Sequence, residues 1–147
     1  MRVEIRRAAG IDADVLVAMA CRFNAEDGHP LPPAGVEALV AMLEPGFRQG
    51  AILLLEVDGG PAGYGILSYG YGIEHGGPEA FVEDLFVVPE RRGCGLGTRL
   101  LDRLERHAAA AGIRALRLEV MPGNRAGRLY RRLGYRNRGS ALLTKPL

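Results

Sequence analysis

The chain has 147 residues, 48% of them hydrophobic, with 21 glycines, no tryptophan and a formal net charge of +2. That length buries a core without metal or disulfide staples and reads as one domain over residues 1–147. Cys21 and Cys94 are too few for a disulfide framework and lack metal-ligand spacing; no apolar run is long enough to cross a bilayer and the N-terminus lacks a signal-type apolar centre, so a cytoplasmic protein with free thiols and no metal is expected.

The first segment, "RVEIRRA", alternates, with Val3 and Ile5 on one face, and predicts a strand. Asp12 can cap a helix over about Ala13 to Phe23. "NAEDGHPLPPAG" is turn-forming and predicts a loop. Val36, Leu39, Val40 and Leu43 recur at helical spacing, so a second helix is expected to stop near Pro45. "AILLLEV" reads as a strand, "DGG" as a hairpin turn and "AGYGILSY" as the return strand. A glycine-rich loop, "GYGIEHGGP", leads into a fourth strand, "EAFVEDLFVV", closed by Pro89. A helix from about Leu96 to Ala111 carries Leu96, Leu100, Leu104 and Ala108 on one face and stops at Gly112. "ALRLEV" predicts a fifth strand and "PGNRAGRLYRRLG" a turn and short helix ending at Gly134. Short strands around 135–138 and 141–145 complete an order β-α-α-β-β-β-α-β-α-β-β. That is an α+β or mixed α/β domain of about seven strands and about four helices, without the strict alternation of a doubly wound fold.

The small net charge hides an asymmetry. Residues 1–89 hold five arginines against thirteen carboxylates, a balance of −8, whereas residues 90–147 hold fourteen cations against four acids, a balance of +10. Two readings are compatible with each other: the halves neutralise one another across the fold, or the second half binds an anion while the first attracts a cation.

The stretch "RRGCGLG" at 91–97 sits between a strand and a helix. A helix start leaves N–H groups without intrahelical partners, the peptide dipoles add positive character there, and glycines let the backbone approach an anion. Residues 93–98 therefore predict an anion cradle, to which the Thr98 hydroxyl can contribute. A P-loop is excluded because no Lys follows Gly95, and a dinucleotide fingerprint because Thr98 stands where its third glycine belongs. From the glycines alone, a helix start packed tightly on its strand is the alternative.

At these residues the chain resembles the GNAT superfamily of N-acetyltransferases. Arg92-Gly93-Cys94-Gly95-Leu96-Gly97 matches that family's acetyl-CoA-binding motif, and the element order is similar over essentially the whole chain. The resemblance implies a mostly antiparallel twisted sheet, parted near its fourth and fifth strands. It places the coenzyme A pyrophosphate on Arg92, Gly93, Cys94, Gly95, Leu96, Gly97 and Thr98. It lays the pantetheine arm along Leu85, Phe86, Val87 and Val88, where an unpaired sheet edge suits an amide-bearing ligand. Arg91, Arg125 and Arg128 are further phosphate partners to consider. Related chains often carry an asparagine seven residues before the closing tyrosine; here Gly123 stands there and Asn124 follows, so Asn124 is included among the cofactor contacts.

Acetyl transfer to an amine needs a base for the ammonium, donors for the developing oxyanion and an acid for the thiolate. Tyr130, in "LYRRLGY", resembles the family's tyrosine and is the expected acid. A core tyrosine on the face of Ala126, Leu129 and Leu133 is the alternative. Glu83, a carboxylate in the apolar strand "FVEDLFV", is the expected base, directly or through water, since burial would raise its pKa. Asp84 points the other way in a regular strand, but a β-bulge would change which acid faces the cleft. His29 and His75, in loops, are weaker bases. Cys94 lies within the phosphate loop and is badly placed to attack a thioester, so direct transfer in a ternary complex is expected.

The acceptor implied by the acidic first half is a cationic amine: a small polyamine or aminoglycoside, or a peptide amine. Glu26, Asp27, Glu74, Glu79, Glu83 and Asp84 contribute to that charge. A non-catalytic acyl-CoA-binding module is the alternative. Nucleic-acid binding is disfavoured because no aromatic residues interleave with the arginines. No membrane partner is expected, and a homodimer stays open.

Overall fold

The computed structural model describes residues 1–121 and 126–147. The chain divides into two units, 1–117 and 118–147, each taken in turn.

The first unit is built on a sheet in the order β1-β2-β3-β4-β5, with β1 Val3–Arg7, β2 Gly50–Val57, β3 Gly60–Gly72, β4 Gly77–Val87 and β5 Leu116–Leu118. β1 to β4 pair antiparallel in succession. β5 joins the start of β4: Arg114 N–H donates to the Pro78 carbonyl (2.8 Å) and Ala80 N–H to that of Ala115 (3.0 Å). The partner positions rise together along both segments, so this last pair runs parallel. β2 is the centre. Ala51, Ile52, Leu53, Leu54 and Leu55 are all buried, which is why its sequence is a continuous apolar run and not an alternation. The β2–β3 turn places Asp58 at φ 52° and Gly59 at φ 82°, the two left-handed residues of a type I′ hairpin.

Helices cover both faces. α1 (Ala13–Glu26) and α2 (Pro33–Ala41) pack together, and α1 sends Phe23 against Tyr64 of β3. α3 (Leu96–Ala110) buries Leu96, Leu100, Leu101, Leu104 and Ala108. A Cβ on Gly65 would collide with Leu104. Tyr64 and Gly65 are neighbours in a strand and point to opposite faces, so α1 and α3 lie on opposite sides of the sheet. Asp12 stands at the cap position of α1, but its carboxylate turns back. It accepts from Ala9 N–H (2.8 Å) and from Arg6 Nη1 and Nη2 (2.9 and 2.8 Å), so it fastens β1 to the helix entry without capping the helix.

The glycine-rich loop is shorter than its composition predicts. β3 and β4 continue their ladder through Gly70↔Glu79, Tyr71↔Pro78 and Gly72↔Gly77, leaving only a 3-10 turn at Ile73–His75. Cross-strand pairing outweighs the local turn preference there.

In the second unit α4 spans Ala126–Arg132. The expected strands at 135–138 and 141–145 do not form, so the described residues hold five strands, not about seven. Local chemistry accounts for part of this. Gly134 and Gly139 take φ of 94° and 74°, and the Asn137 side chain accepts Gly139 N–H (2.7 Å), a local turn that competes with a ladder. Among the described residues, no helix is long and apolar enough to cross a membrane.

Candidate active site

The cradle forms where β4 meets α3. Gly93 and Gly95 adopt φ of 86° and 80°, left-handed conformations open to glycine at no steric cost. The first bond of the helix ladder is Arg99 N–H to the Gly95 carbonyl (3.1 Å), so the N–H groups of Leu96, Gly97 and Thr98 precede it. A Cβ at Gly93, Gly95 or Gly97 would meet nothing within 4 Å. These glycines therefore do not serve close helix–strand packing. They leave an open surface over a positive helix start, which fits a pyrophosphate.

Arg92 behaves differently from the rest of the motif. Its N–H donates to the Pro89 carbonyl (3.3 Å), its Nε to the Val87 carbonyl (2.8 Å) and its Nη2 to both Glu26 oxygens (2.9 and 3.0 Å). Its guanidinium also lies over the Phe86 ring, 5.5 Å from the centroid. The side chain thus ties the end of α1 to the end of β4. Arg22 and Glu90 make a second tie at 3.0 Å. Along the expected pantetheine edge, Phe86 and Val88 are buried and Leu85 and Val87 half-buried. Val88 N–H is spent on the Ala62 carbonyl (2.9 Å).

A β-bulge lies at Glu83. The register runs Ile66↔Asp84 and then Leu67↔Val82, leaving Glu83 as the extra residue. Ser68 Oγ donates to Glu83 (2.7 Å) and Tyr64 OH to Asp84 (2.7 Å). Tyr64 and Ser68 are four apart on β3 and share the face covered by α1. Both carboxylates consequently turn to that face, where a regular strand would have separated them. The burial expected of Glu83 falls on its neighbour instead: Glu83 is exposed and Asp84 half-buried. Burial pushes the Asp84 carboxyl up, the Tyr64 hydroxyl pulls it down, and the charges of Glu83 and Asp27 push it up again. Tyr64 and Ser68 escaped the sequence reading; only the alternation of "GYGILSY" hinted that they share a side.

Tyr130, in the second unit, is half-buried, and burial pushes its phenol up. Its ring meets Tyr135 edge-on at 6.0 Å. Asn124 and Arg125 lie outside the described residues. His75 faces Glu79 (3.3 Å), which Arg117 also holds (3.2 Å); these contacts anchor the turn and β5 to the start of β4. A cavity of about 100 Å³ lined by Ser68, Tyr69, Glu79, Phe81 and Arg117 adjoins them, too small for a drug-sized ligand. The described residues contain no cluster suited to a metal ion.

An α+β domain with an open glycine cradle between β4 and α3, and paired carboxylates on the bulged strand before it, defines a class of anion-binding fold. The chain belongs to the acetyltransferase (GNAT) family, whose profile matches residues 18–135. An integron cassette protein, HFX_CASS3, from the mobile metagenome of Cole Harbour Salt Marsh has a similar structure. Its TM-score is 0.83 at 34% identity, over 97% of this chain and 90% of that one. Thialysine N-epsilon-acetyltransferase of Bos taurus is 37% identical over 73 residues, 49% of this chain and 42% of that protein. L-2,4-Diaminobutyric acid acetyltransferase of Nocardia farcinica is 34% identical over 98 residues, 67% of this chain and 49% of that protein. The chain thus spans about half the length of the curated relatives it matches.

Proposed function

We propose that the protein is an N-acetyltransferase that moves an acetyl group from acetyl-CoA to a primary amine on a cationic acceptor, by direct transfer in a ternary complex. The observation that carries this is the open, left-handed glycine cradle at the start of α3. The N–H groups of residues 93–98 would hold the pyrophosphate, and the edge from Leu85 to Val88 the pantetheine arm. Arg92 would contribute by fixing that edge, and Asn124 by a further contact to the cosubstrate. The bound cosubstrate supplies a reactive thioester; the protein supplies position and proton handling. Glu83 takes the proton of the acceptor ammonium, directly or through water, and Tyr130 returns one to the departing thiolate. Cys94 is engaged with the Arg91 carbonyl at 3.1 Å, which supports direct transfer over an acyl-enzyme.

The carboxylates at positions 27, 83 and 84 favour a cationic acceptor, and the names of both curated relatives specify acceptors bearing amino groups. Residues 1–147 would act as one domain, in line with a family match that runs across both units. The free Cys21 and Cys94 suit a reducing cytoplasm.

The test is thiol release from acetyl-CoA across an amine panel at low and high salt, beside calorimetric binding of coenzyme A. Turnover that prefers cationic amines is expected; preference for neutral or acidic amines refutes the acceptor class. Binding without turnover on any amine would show an acyl-CoA-binding module instead. Gly97→Asp should lower coenzyme A affinity about ten-fold or more, through one carboxylate set against the phosphates. Its thermal stability should hold, because an acid in the first helical turn is favourable.

A further inference from the structure

Tyr64 and Asp84 form a pair that no step above uses. Tyr64 is 0% exposed, its ring set against Phe23 (6.5 Å) and Phe86 (5.8 Å). A buried phenol needs a partner for its hydroxyl, and here that partner is the Asp84 carboxylate at 2.7 Å. The bulge at Glu83 makes the pairing coincide with the site, because it brings Asp84 and Glu83 onto one face.

We propose that Tyr64 is a positioning residue for the acceptor: its buried hydroxyl holds the Asp84 carboxylate beside Glu83, where Asp84 pairs with the acceptor's cationic nitrogen while Glu83 takes the proton. This rests on the acetyl transfer proposed above and divides the labour of its two carboxylates. Two features support it. A tyrosine ring clamped by two other rings has little rotamer freedom left, so its hydroxyl fixes Asp84 at small entropic cost. The groups acting on Asp84 are Tyr64 from β3, Glu83 on its own strand and Asp27 at the end of α1, and none of the three is a cation. An entering ammonium therefore meets negative charge, with no competing cation among the described residues that act on Asp84. Cys21 of α1 acts on the Tyr64 side of the pair.

Removal of the hydroxyl also changes a titration. The Tyr64 bond opposes the effect of burial on Asp84, so Tyr64→Phe raises the Asp84 pKa further and moves the acidic limb of kcat/KM to higher pH.

The experiment measures acetyl transfer to 1,3-diaminopropane by the full chain and by Tyr64→Phe and Asp84→Asn. Tyr64→Phe should raise the acceptor KM about ten-fold, leave the acetyl-CoA KM unchanged and shift the acidic limb upward. Asp84→Asn should raise the acceptor KM at least as much and remove the contribution of Asp84 to the limb. Unchanged acceptor KM and pH profile in both variants overturn the proposal. If Tyr64→Phe does not fold, Asp84→Asn decides by the same KM measurement. Absence of thiol release by the wild type on every amine is instead a failure of the acetyl-transfer function. The positioning claim is then decided by carbon NMR titration of the Asp84 carboxyl, where an unmoved midpoint in Tyr64→Phe overturns it.

Discussion

Asp12, at the entry to α1, and Asp84, on the bulged stretch of β4, are both carboxylates withdrawn from water, yet their surroundings pull in opposite directions. Hydrogen bonds from Arg6 and the Ala9 N–H outweigh burial at Asp12, so its carboxyl is held below the ordinary range. Asp84 has one neutral donor and two acidic neighbours, and burial carries its carboxyl above that range. The linkage signs are therefore opposite. Asp12 contributes stability above its unfolded pKa of about 3.9, and loses it as pH falls through its depressed folded value. At Asp84 the ionised form is the strained one, so stability declines as pH rises from about 3.9 through its raised folded value. One carboxylate fastens the fold; the other is kept short of partners, as a site awaiting a cation would be.

The largest effect expected lies next to Asp84. Glu83→Gln, tested in thiol-release assays, should lower turnover by about 10²- to 10⁴-fold with no change in urea midpoint, and full activity in that variant would remove Glu83 from its role. Tyr130→Phe should lower turnover similarly; an unchanged rate would leave the family assignment standing and the acid unassigned.

Asp12→Asn comes next and tests the other side of the contrast. It leaves Glu56, at 2.9 Å, as the one carboxylate on the Arg6 guanidinium among the described residues and should cost about 2–3 kcal/mol in urea unfolding, with activity per folded molecule retained. Asp84→Asn should show the reverse pattern, a lost acceptor preference with neutral-pH stability unchanged or raised by up to about 1 kcal/mol. A destabilisation of Asp84→Asn matching that of Asp12→Asn would erase the distinction. The smallest effect is expected for Arg92→Met. Its ion pair with Glu26 is nearly half-exposed on both sides, so its loss should cost about 0.2–1 kcal/mol, read as a small shift in melting temperature that added salt mimics.

The cradle was legible because backbone builds it: Gly93 and Gly95 declare their conformational needs in their spacing, and Asp58-Gly59 declares its turn in the same way. The carboxylate site is built from side chains in register across two strands. Nothing local in "FVEDLFV" tells that Glu83 is the bulged residue, because the bulge exists only relative to Ile66 and Leu67. Tyr64 escaped the sequence reading for the same reason: a tyrosine's hydroxyl partner is a property of the neighbouring strand. The two unformed strands fail differently. Gly134, Asn137 and Gly139 carry turn chemistry that a short, arginine-rich alternation does not overcome.

Arg92 has a consequence for anyone moving parts between related chains. It grips the last residue of α1 and the carbonyl of Val87 at once. The helix pair that would select the acceptor and the loop that would hold the donor are therefore not separable modules. A chimaera that imports residues 13–41 to change acceptor choice must also import an acid at position 26. Otherwise the guanidinium keeps the Val87 carbonyl and the Phe86 ring but loses its tie to α1.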